Sequence, residues 1–339
     1  MGFRKSVISL FLSVALVTGC ASREKNETLR VGYLPNITHL QALIGQSNAY
    51  FKRQLAPAVN LEWKGFNAGP SVIEALFAGE LDMAYVGPSP AVNGYIKSGG
   101  EAVSLVAGAA SGGAALVVRE EAGIAKLEDF HGKRIATPQL GNTQDVALRS
   151  WLLTQGLKSK ENGGDITIFP VANADIFTLF LKKEIDAAWT VEPWVSLLVQ
   201  NAGGKVFLDE ASLWPQGEYA TTVLLVRKDF LEKHPKTVKR FVRAHVELTE
   251  WIVAHPEESK TFLNQKLEEE TGKTLAPQVM NQAFSRIKPT YELLRTSVEK
   301  QATAAFHVGF LKKEPDVSGL FVSGILDEVL KEHEESDRF

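Results

Sequence analysis

The sequence predicts an α/β protein of two lobes, joined by two crossing strands and finished by C-terminal helices. Three observations carry that expectation. Short β-branched runs alternate with amphipathic helical stretches from residue 29 to residue 208, the pattern of α/β layers with largely parallel sheets. Two uninterrupted extended runs, 114–118 and 221–226, stand apart from the alternation and bracket its second half. Beyond 226 the pattern is mainly helical. The chain is therefore expected to leave the first lobe near 114 and return near 226. Lobe I is then 28–115 with 222–339, and lobe II is 116–221.

In lobe I the pattern places strands at 29–33, 59–66, 82–86 and 103–107, and helices at 39–51, 71–78 and 91–97. Gly79 stops the second of these helices. In lobe II, strands are expected at 134–136, 166–171, 185–189 and 206–208, and helices at 143–154, 176–183 and 194–200. The C-terminal helices are expected at 229–254, 259–270, 277–287, 296–311 and 317–334. No internal repeat is evident in the sequence.

The N-terminus carries an address. Arg4 and Lys5 precede an apolar run over 7–17, interrupted only by Ser9 and Ser13. That run is too short to cross a bilayer, which takes about 20 residues, and fits a signal-peptide core. It ends in Leu16-Val17-Thr18-Gly19-Cys20, which resembles the lipobox of bacterial lipoproteins. The resemblance implies a signal peptide over 1–19, cleavage before Cys20, lipid (palmitate) on its thiol, and a polar tether over 20–27. Cys20 is the chain's single cysteine, so no internal disulfide can form. The expected location is extracytoplasmic and lipid-anchored, on the cell membrane or facing the periplasm.

Composition excludes several classes. The hydrophobic fraction of 45% is ample for packed cores, and about 320 residues after the leader suit two ordinary domains. The formal net charge of −3 and scattered basic residues leave no footprint for nucleic acid. No nucleophile–base arrangement or phosphate loop points to an enzyme. The seven histidines show no metal-ligand spacing, and neither cofactor nor metal is expected.

The informative feature is how the strands end. Each runs into a loop of small and polar residues that opens a helix. In open α/β sheets ligands bind at the carboxyl ends of strands, where helix N-termini offer unpaired N–H groups. In lobe I these loops carry Asn36 and His39, then Gly69 and Ser71, then Pro88 and Ser89, then Ser111 and Gly112. In lobe II they carry Gly141, Asn142, Thr143 and Gln144, and then Glu192 and Trp194. Ser71 with Glu74 reads as a capping box. Ser89 reads as an N-cap, with Pro90 at the first helical position. Any one loop is explained by capping alone; their convergence from two lobes points to one cleft.

Taken together, these stretches resemble the nitrate/sulfonate/taurine/bicarbonate class of ABC substrate-binding proteins, which shares its fold with binding proteins for thiamine-pyrimidine precursors. The matching residues are Val31-Gly32-Tyr33 with Thr38-His39, Ala75-Leu76 with Gly79-Glu80-Leu81-Asp82, and Gly87-Pro88-Ser89-Pro90. Asp129-Phe130 with Gly132-Lys133, Gly141-Asn142-Thr143 and Glu192-Pro193-Trp194 complete the set. The resemblance covers about residues 28–310. It implies a two-lobed periplasmic-binding-protein-like fold of type II, closing on a small-molecule solute. It also implies a membrane permease and a cytoplasmic ATPase as partners; a monomer is expected. The family's cleft contacts would fall at 35–39, 69–71, 88–89, 111–113, 141–144 and 192–194.

Individual residues keep two readings each. His39 either donates to a ligand oxygen or faces solvent in a helix's first turn. Ser89, Ser111, Asn142, Thr143 and Gln144 can give hydroxyl or amide hydrogen bonds to an anion, or merely cap. Glu192 either caps the following helix or meets a cationic or N–H part of the solute. Trp189, Trp194 and Trp214 suit an organic tail, whereas Trp151 and Trp251 read as core. None of the loops carries lysine or arginine, which favours a monoanion such as a sulfonate, or a zwitterion, over phosphate-like ligands. Uptake of an aliphatic sulfonate or taurine-like solute leads. A thiamine-related pyrimidine or other heterocycle follows, then nitrate or bicarbonate. A pyrimidine-synthase-like enzyme would want a cysteine-rich motif that is absent, and a sensor would want an attached signalling domain.

Overall fold

A computed structural model describes residues 27–336. The expected leader, Cys20 and the tether up to residue 26 lie outside the described residues. Glu27, expected in the tether, instead opens the first strand.

The first half runs β1 (Glu27–Tyr33), α1 (Leu40–Ser47), α2 (Tyr50–Leu55), β2 (Val59–Gly65), α3 (Gly69–Phe77), β3 (Met83–Val86), α4 (Pro88–Lys97) and β4 (Val103–Gly112). Then come β5 (Ala114–Arg119), β6 (Arg134–Pro138), α5 (Thr143–Thr154), β7 (Thr167–Val171), α6 (Asn173–Leu181), β8 (Ala187–Val191), α7 (Trp194–Asn201) and β9 (Gly204–Asp209). The chain returns through β10 (Ala220–Arg227), α8 (Lys228–Lys233), α9 (Pro235–Ala254), α10 (Pro256–Thr271), α11 (Pro277–Ser285), β11 (Ile287–Pro289), α12 (Arg295–His307) and α13 (Gly324–Ser336). The strands form two sheets, ordered β11-β4-β10-β3-β1-β2 and β7-β6-β8-β5-β9. This is the two-lobed α/β architecture expected from the alternation of patterns.

Hydrophobic periodicity places the layers. Along α9, Val238, Phe241, Val242, His245, Leu248, Thr249 and Ile252 recur at helical spacing and are all buried. Phe241 stacks on Phe51 at 4.6 Å between ring centres, beside Trp63 and Tyr85. In lobe II, Phe130, Trp151 and Trp189 pack on one face of the sheet, and Ile176, Phe180 and Val195 on the other.

The two sheets repeat one plan, although the sequence shows no repeat. In each, one strand pairs in parallel with its neighbours on both sides, β1 with β2 and β3, β6 with β7 and β8. β3 and β8 then each meet an antiparallel partner, β10 and β5 respectively. A clasp on the carboxylate that immediately precedes β3 and β8 is duplicated too. Arg30 donates through its backbone N–H (2.9 Å), Nε (3.0 Å) and Nη2 (2.7 Å) to the Asp82 carboxylate. Arg134 does the same to Asp186, at 2.9, 3.1 and 3.0 Å. A second arginine joins each carboxylate from the antiparallel strand, Arg227 at 3.7 Å and Arg119 at 3.1 Å.

Four local expectations are corrected. The helix expected at 39–51 breaks at Ala49, whose φ of +54° is left-handed. The helix expected over 277–287 ends at Ser285, and Ile287 starts β11 instead. Residues 110–112, read as a loop, continue β4 because β10 and β11 pair with them on both sides. The extended runs at 114–118 and 221–226 each pair within a single sheet. The passages between sheets are Gly113 and the segment 210–219. Gly112 and Gly113 have φ of +80° and +79°, and a Cβ on Gly112 would lie 2.5 Å from the Arg286 carbonyl oxygen. Glycine is required there on both counts.

Candidate ligand cleft between the lobes

The carboxyl ends of β1, β3, β6 and β8 lead into loops that meet across the two lobes. The Ser89 N–H of α4 points at Thr143 Oγ1 of α5, 3.4 Å away. A Cβ added to Gly69 would lie 3.3 Å from Asn142 Oδ1, and one added to Gly87 2.4 Å from Thr143 Oγ1. Val146, one turn along α5, is buried in a hydrophobic cluster of lobe I. The amino ends of α4 and α5 thus face each other with little between them.

The helix starts differ from the sequence reading. Gly87 is the N-cap of α4, with extended backbone (φ −69°, ψ 151°), and Pro88 takes the first helical position. Ser89 is therefore not the cap, and its hydroxyl is free for other use. Its Oγ is buried and has no hydrogen-bond partner in the protein. Ala68 is the N-cap of α3, so Ser71 sits inside the helix and forms no capping box with Glu74.

The remaining predicted residues are placed as follows. Asn36 Oδ1 accepts from the Thr38 N–H (3.0 Å) and hydroxyl (2.7 Å), which ties the loop after β1 into a short 3-10 turn. His39 is buried rather than solvent-facing; its Nδ1 accepts from the Leu34 N–H at 3.3 Å. Burial pushes its pKa down to about 3, so the ring is neutral. Ser111 Oγ accepts from the Tyr219 N–H at 3.2 Å, and the Gly112 carbonyl accepts from the Thr221 hydroxyl at 2.6 Å. Gly141, at φ +75°, donates its N–H to Asp145 Oδ2 at 2.9 Å. Asn142 is the N-cap residue of α5 without a side-chain capping bond, and Thr143 and Gln144 follow it, buried.

Glu192 is fully buried. Its Oε2 accepts from the Ser196 N–H and its Oε1 from the Ser196 hydroxyl, each at 3.0 Å, so it caps α7 from just outside the helix. Burial pushes its pKa up to about 7, against those hydrogen bonds and the nearby Arg286. Arg286, on the turn between α11 and β11, places Nε 3.4 Å from Glu192 Oε1 and Nη1 3.0 Å from Asp209 Oδ2. A basic residue thus pairs with Glu192 and Asp209 from the turn before β11, although none of the cleft loops contains one. No local pattern in the sequence announces it.

Two cavities flank these loops. One of about 320 Å³ is lined by Ser89 and Thr143, by Trp151, Trp189 and Trp214, and by Glu210, Lys300 and Gln301. The other, about 530 Å³, is lined by Asn36, Asn67, Asn173, Phe177 and Trp194, with Glu270 at its lobe I wall. Trp151 serves core and cavity together, since it packs edge-on against both Phe130 and Trp189. Glu210 and Gln301 escaped the sequence reading: Glu210 lies in the turn that directly follows β9, a strand end with no glycine or proline to mark it, and Gln301 lies within α12. Trp214, four residues after Glu210, is the one signal that pointed there. Among the described residues no group of histidine, cysteine, aspartate and glutamate could hold a metal ion. No helix among them is long and apolar enough to cross a membrane.

The sequence profile of the NMT1-like family matches residues 22–263. The chain is 30% identical over 219 residues to the taurine-binding periplasmic protein of Escherichia coli K12, a stretch spanning 64% of each chain. It is 24% identical to a putative aliphatic sulfonates-binding protein of Bacillus subtilis 168, covering 97% of this chain and 98% of that one. Among solved structures it resembles the alkanesulfonate-binding protein of Xanthomonas axonopodis pv. citri bound to MOPS. The TM-score there is 0.71 at 19% identity, over 88% of this chain and 98% of that one.

Proposed function

The chain belongs to the NMT1-like family, and from that premise we propose that it is the solute-binding component of an ABC importer, holding a small organic anion such as an aliphatic sulfonate or taurine-like solute between its lobes. The observation that carries this reading is the meeting of α4 and α5. Two helix amino ends from opposite lobes approach each other beside a buried serine hydroxyl with no protein partner. The positive ends of two helix dipoles suit an oxyanion; on α4, where Pro88 and Pro90 have no N–H, the donor is the Ser89 N–H, held by Thr143 Oγ1 only at 3.4 Å. Asn142, Thr143, Gln144 and Ser89 supply neutral donors, which suit a singly charged head group.

In this reading lobe I is 28–115 with 222–339, and lobe II is 116–221. They open at Gly113 and the segment 210–219 and close around the solute, with no covalent change to it. Arg286 joins the lobes on closure through Glu192 and Asp209. The loaded protein, a monomer lipid-anchored through Cys20 outside the cytoplasm, delivers to a permease driven by its ATPase. The named sulfonate- and taurine-binding relatives support the solute class.

The test is a thermal-shift panel of sulfonates, taurine, nitrate, bicarbonate, pyrimidines and amino acids, followed by calorimetry on any hit. A ligand that binds only the folded state raises the melting temperature by mass action. Sulfonates should raise it, and Ser89→Ala combined with Asn142→Ala should weaken their binding without unfolding the protein. A rise with pyrimidines or nitrate alone would replace the solute class; unchanged affinity in the double variant would remove these loops from the site.

A further inference from the structure

We infer that the aromatic cavity beside Ser89 is a selectivity subsite for the amino group of an ω-amino sulfonate, with Glu210 and Gln301 accepting its N–H groups; this rests on the sulfonate reading of the cleft. Gln301 supplies the first observation. Its Nε2 donates to the Ala220 carbonyl at 2.9 Å and to Ser297 Oγ at 3.2 Å. Both amide hydrogens are engaged, so the side chain cannot flip without losing two bonds. The carbonyl Oε1 is left buried and without a partner in the protein. A buried acceptor of fixed orientation calls for a donor.

Glu210 supplies the second. It is 2% exposed, and its Oε2 accepts from the Trp189 indole N–H at 2.7 Å. No arginine or lysine forms an ion pair with it among the described residues. Burial pushes its carboxyl up to about 7, opposed by hydrogen bonds from Trp189 and Trp214. The charged groups around it are few. Asp209 raises it further and is itself paired with Arg286. Tyr219 is buried and held well above its ordinary value by burial and by Glu210. Lys300, on α12, is exposed at the cavity rim.

Glu210 and Gln301 line the same cavity as Ser89 and Thr143, so acceptors and anion-binding donors share one enclosure. Three indoles line it, and an aromatic surround of this kind is compatible with a cation. A dipolar solute would satisfy both ends. A plain alkyl chain would leave the Gln301 carbonyl unpartnered and press hydrocarbon against a carboxyl group.

The test is calorimetry of taurine and 3-aminopropanesulfonate against ethanesulfonate and propanesulfonate at pH 7, in two buffers of different ionisation enthalpy. The amino compounds should bind roughly tenfold tighter or more, the scale of one hydrogen bond to a charged group. Their binding should release a fraction of a proton as Glu210 ionises against the ammonium; binding of the alkyl compounds should not. Glu210→Gln should remove the proton release and bring the amino-to-alkyl affinity ratio towards one, and Gln301→Leu should lower that ratio. Equal affinity for the two series in the wild type would overturn the inference and leave the sulfonate reading standing, as would a preference that Glu210→Gln leaves intact. Failure of every sulfonate to bind would overturn both.

Discussion

Gly87 offers a way to wedge the lobes apart with one methyl group. Its backbone is extended (φ −69°, ψ 151°), a conformation alanine adopts freely, so Gly87→Ala carries no backbone strain and slightly favours the folded chain by narrowing the unfolded one. The methyl, however, would lie 2.4 Å from Thr143 Oγ1 and 3.5 Å from Thr143 Cβ, on the opposite lobe. Carbon and oxygen need roughly an ångström more, so either Thr143 changes rotamer and loses the Ser89 N–H or α5 withdraws from α4. Withdrawal would also loosen Val146, which is packed in the lobe I core. Overpacking of this kind costs about 1–3 kcal/mol, or roughly a 5- to 150-fold loss of affinity if it is felt only on closure. Calorimetry with the best ligand of the panel would measure it, with small-angle scattering to detect a more open ligand-bound form. Unchanged affinity would refute the placement of Gly87 against Thr143 in the ligand-bound form. An equal drop in ligand-free melting temperature would place the clash in the static fold rather than in closure.

Two further predictions follow from the buried charges. Arg286→Gln breaks the bridge to Glu192 and Asp209; because Arg286 and Asp209 are partly exposed, the loss should be about 1–2 kcal/mol rather than the full cost of a buried pair. It should appear as faster ligand release in stopped-flow, and release at the wild-type rate would deny the bridge a role in closure. Glu210→Gln should stabilise the ligand-free protein more at pH 8 than at pH 5. The unfolded chain sheds this proton near 4.5 and the folded chain holds it to about 7, so the wild type loses stability as pH rises between those values. The gap should widen by up to about 3 kcal/mol, read as melting temperatures across that range, and a constant gap would mean Glu210 stays ionised in the fold.

What the sequence made legible was local. Strand alternation, Gly79 as a helix stop and the strand-to-helix loops all follow from residues near in sequence, and those loops do meet at the lobe boundary. The misses have tertiary causes. Ala110, Ser111 and Gly112 have poor strand propensity, but two neighbouring strands pair with them and override it. Pro88 and Pro90 are both plausible first helical residues, and the extended Gly87 decides for the former. Glu210 and Gln301 line the cavity beside Ser89, and Arg286 pairs with Glu192, from far along the chain, where no motif marks them. The buried state of His39 depends on packing that the polar surroundings of the loop conceal.

The paired arginine–aspartate clasps have a consequence for how such a chain can change over time. Each clasp is centred on a carboxylate just before the amino end of β3 or β8, whereas the cleft loops leave the carboxyl ends of those strands. The clasps that hold a half together and the loops proposed to read a solute are therefore set apart. Substitutions in the loops need not disturb the clasps, and each half can be retuned separately. If the proposed cleft is the binding site, a molecule drawn twice from one plan in this way can acquire new cargo by editing loops, with its skeleton left as it is.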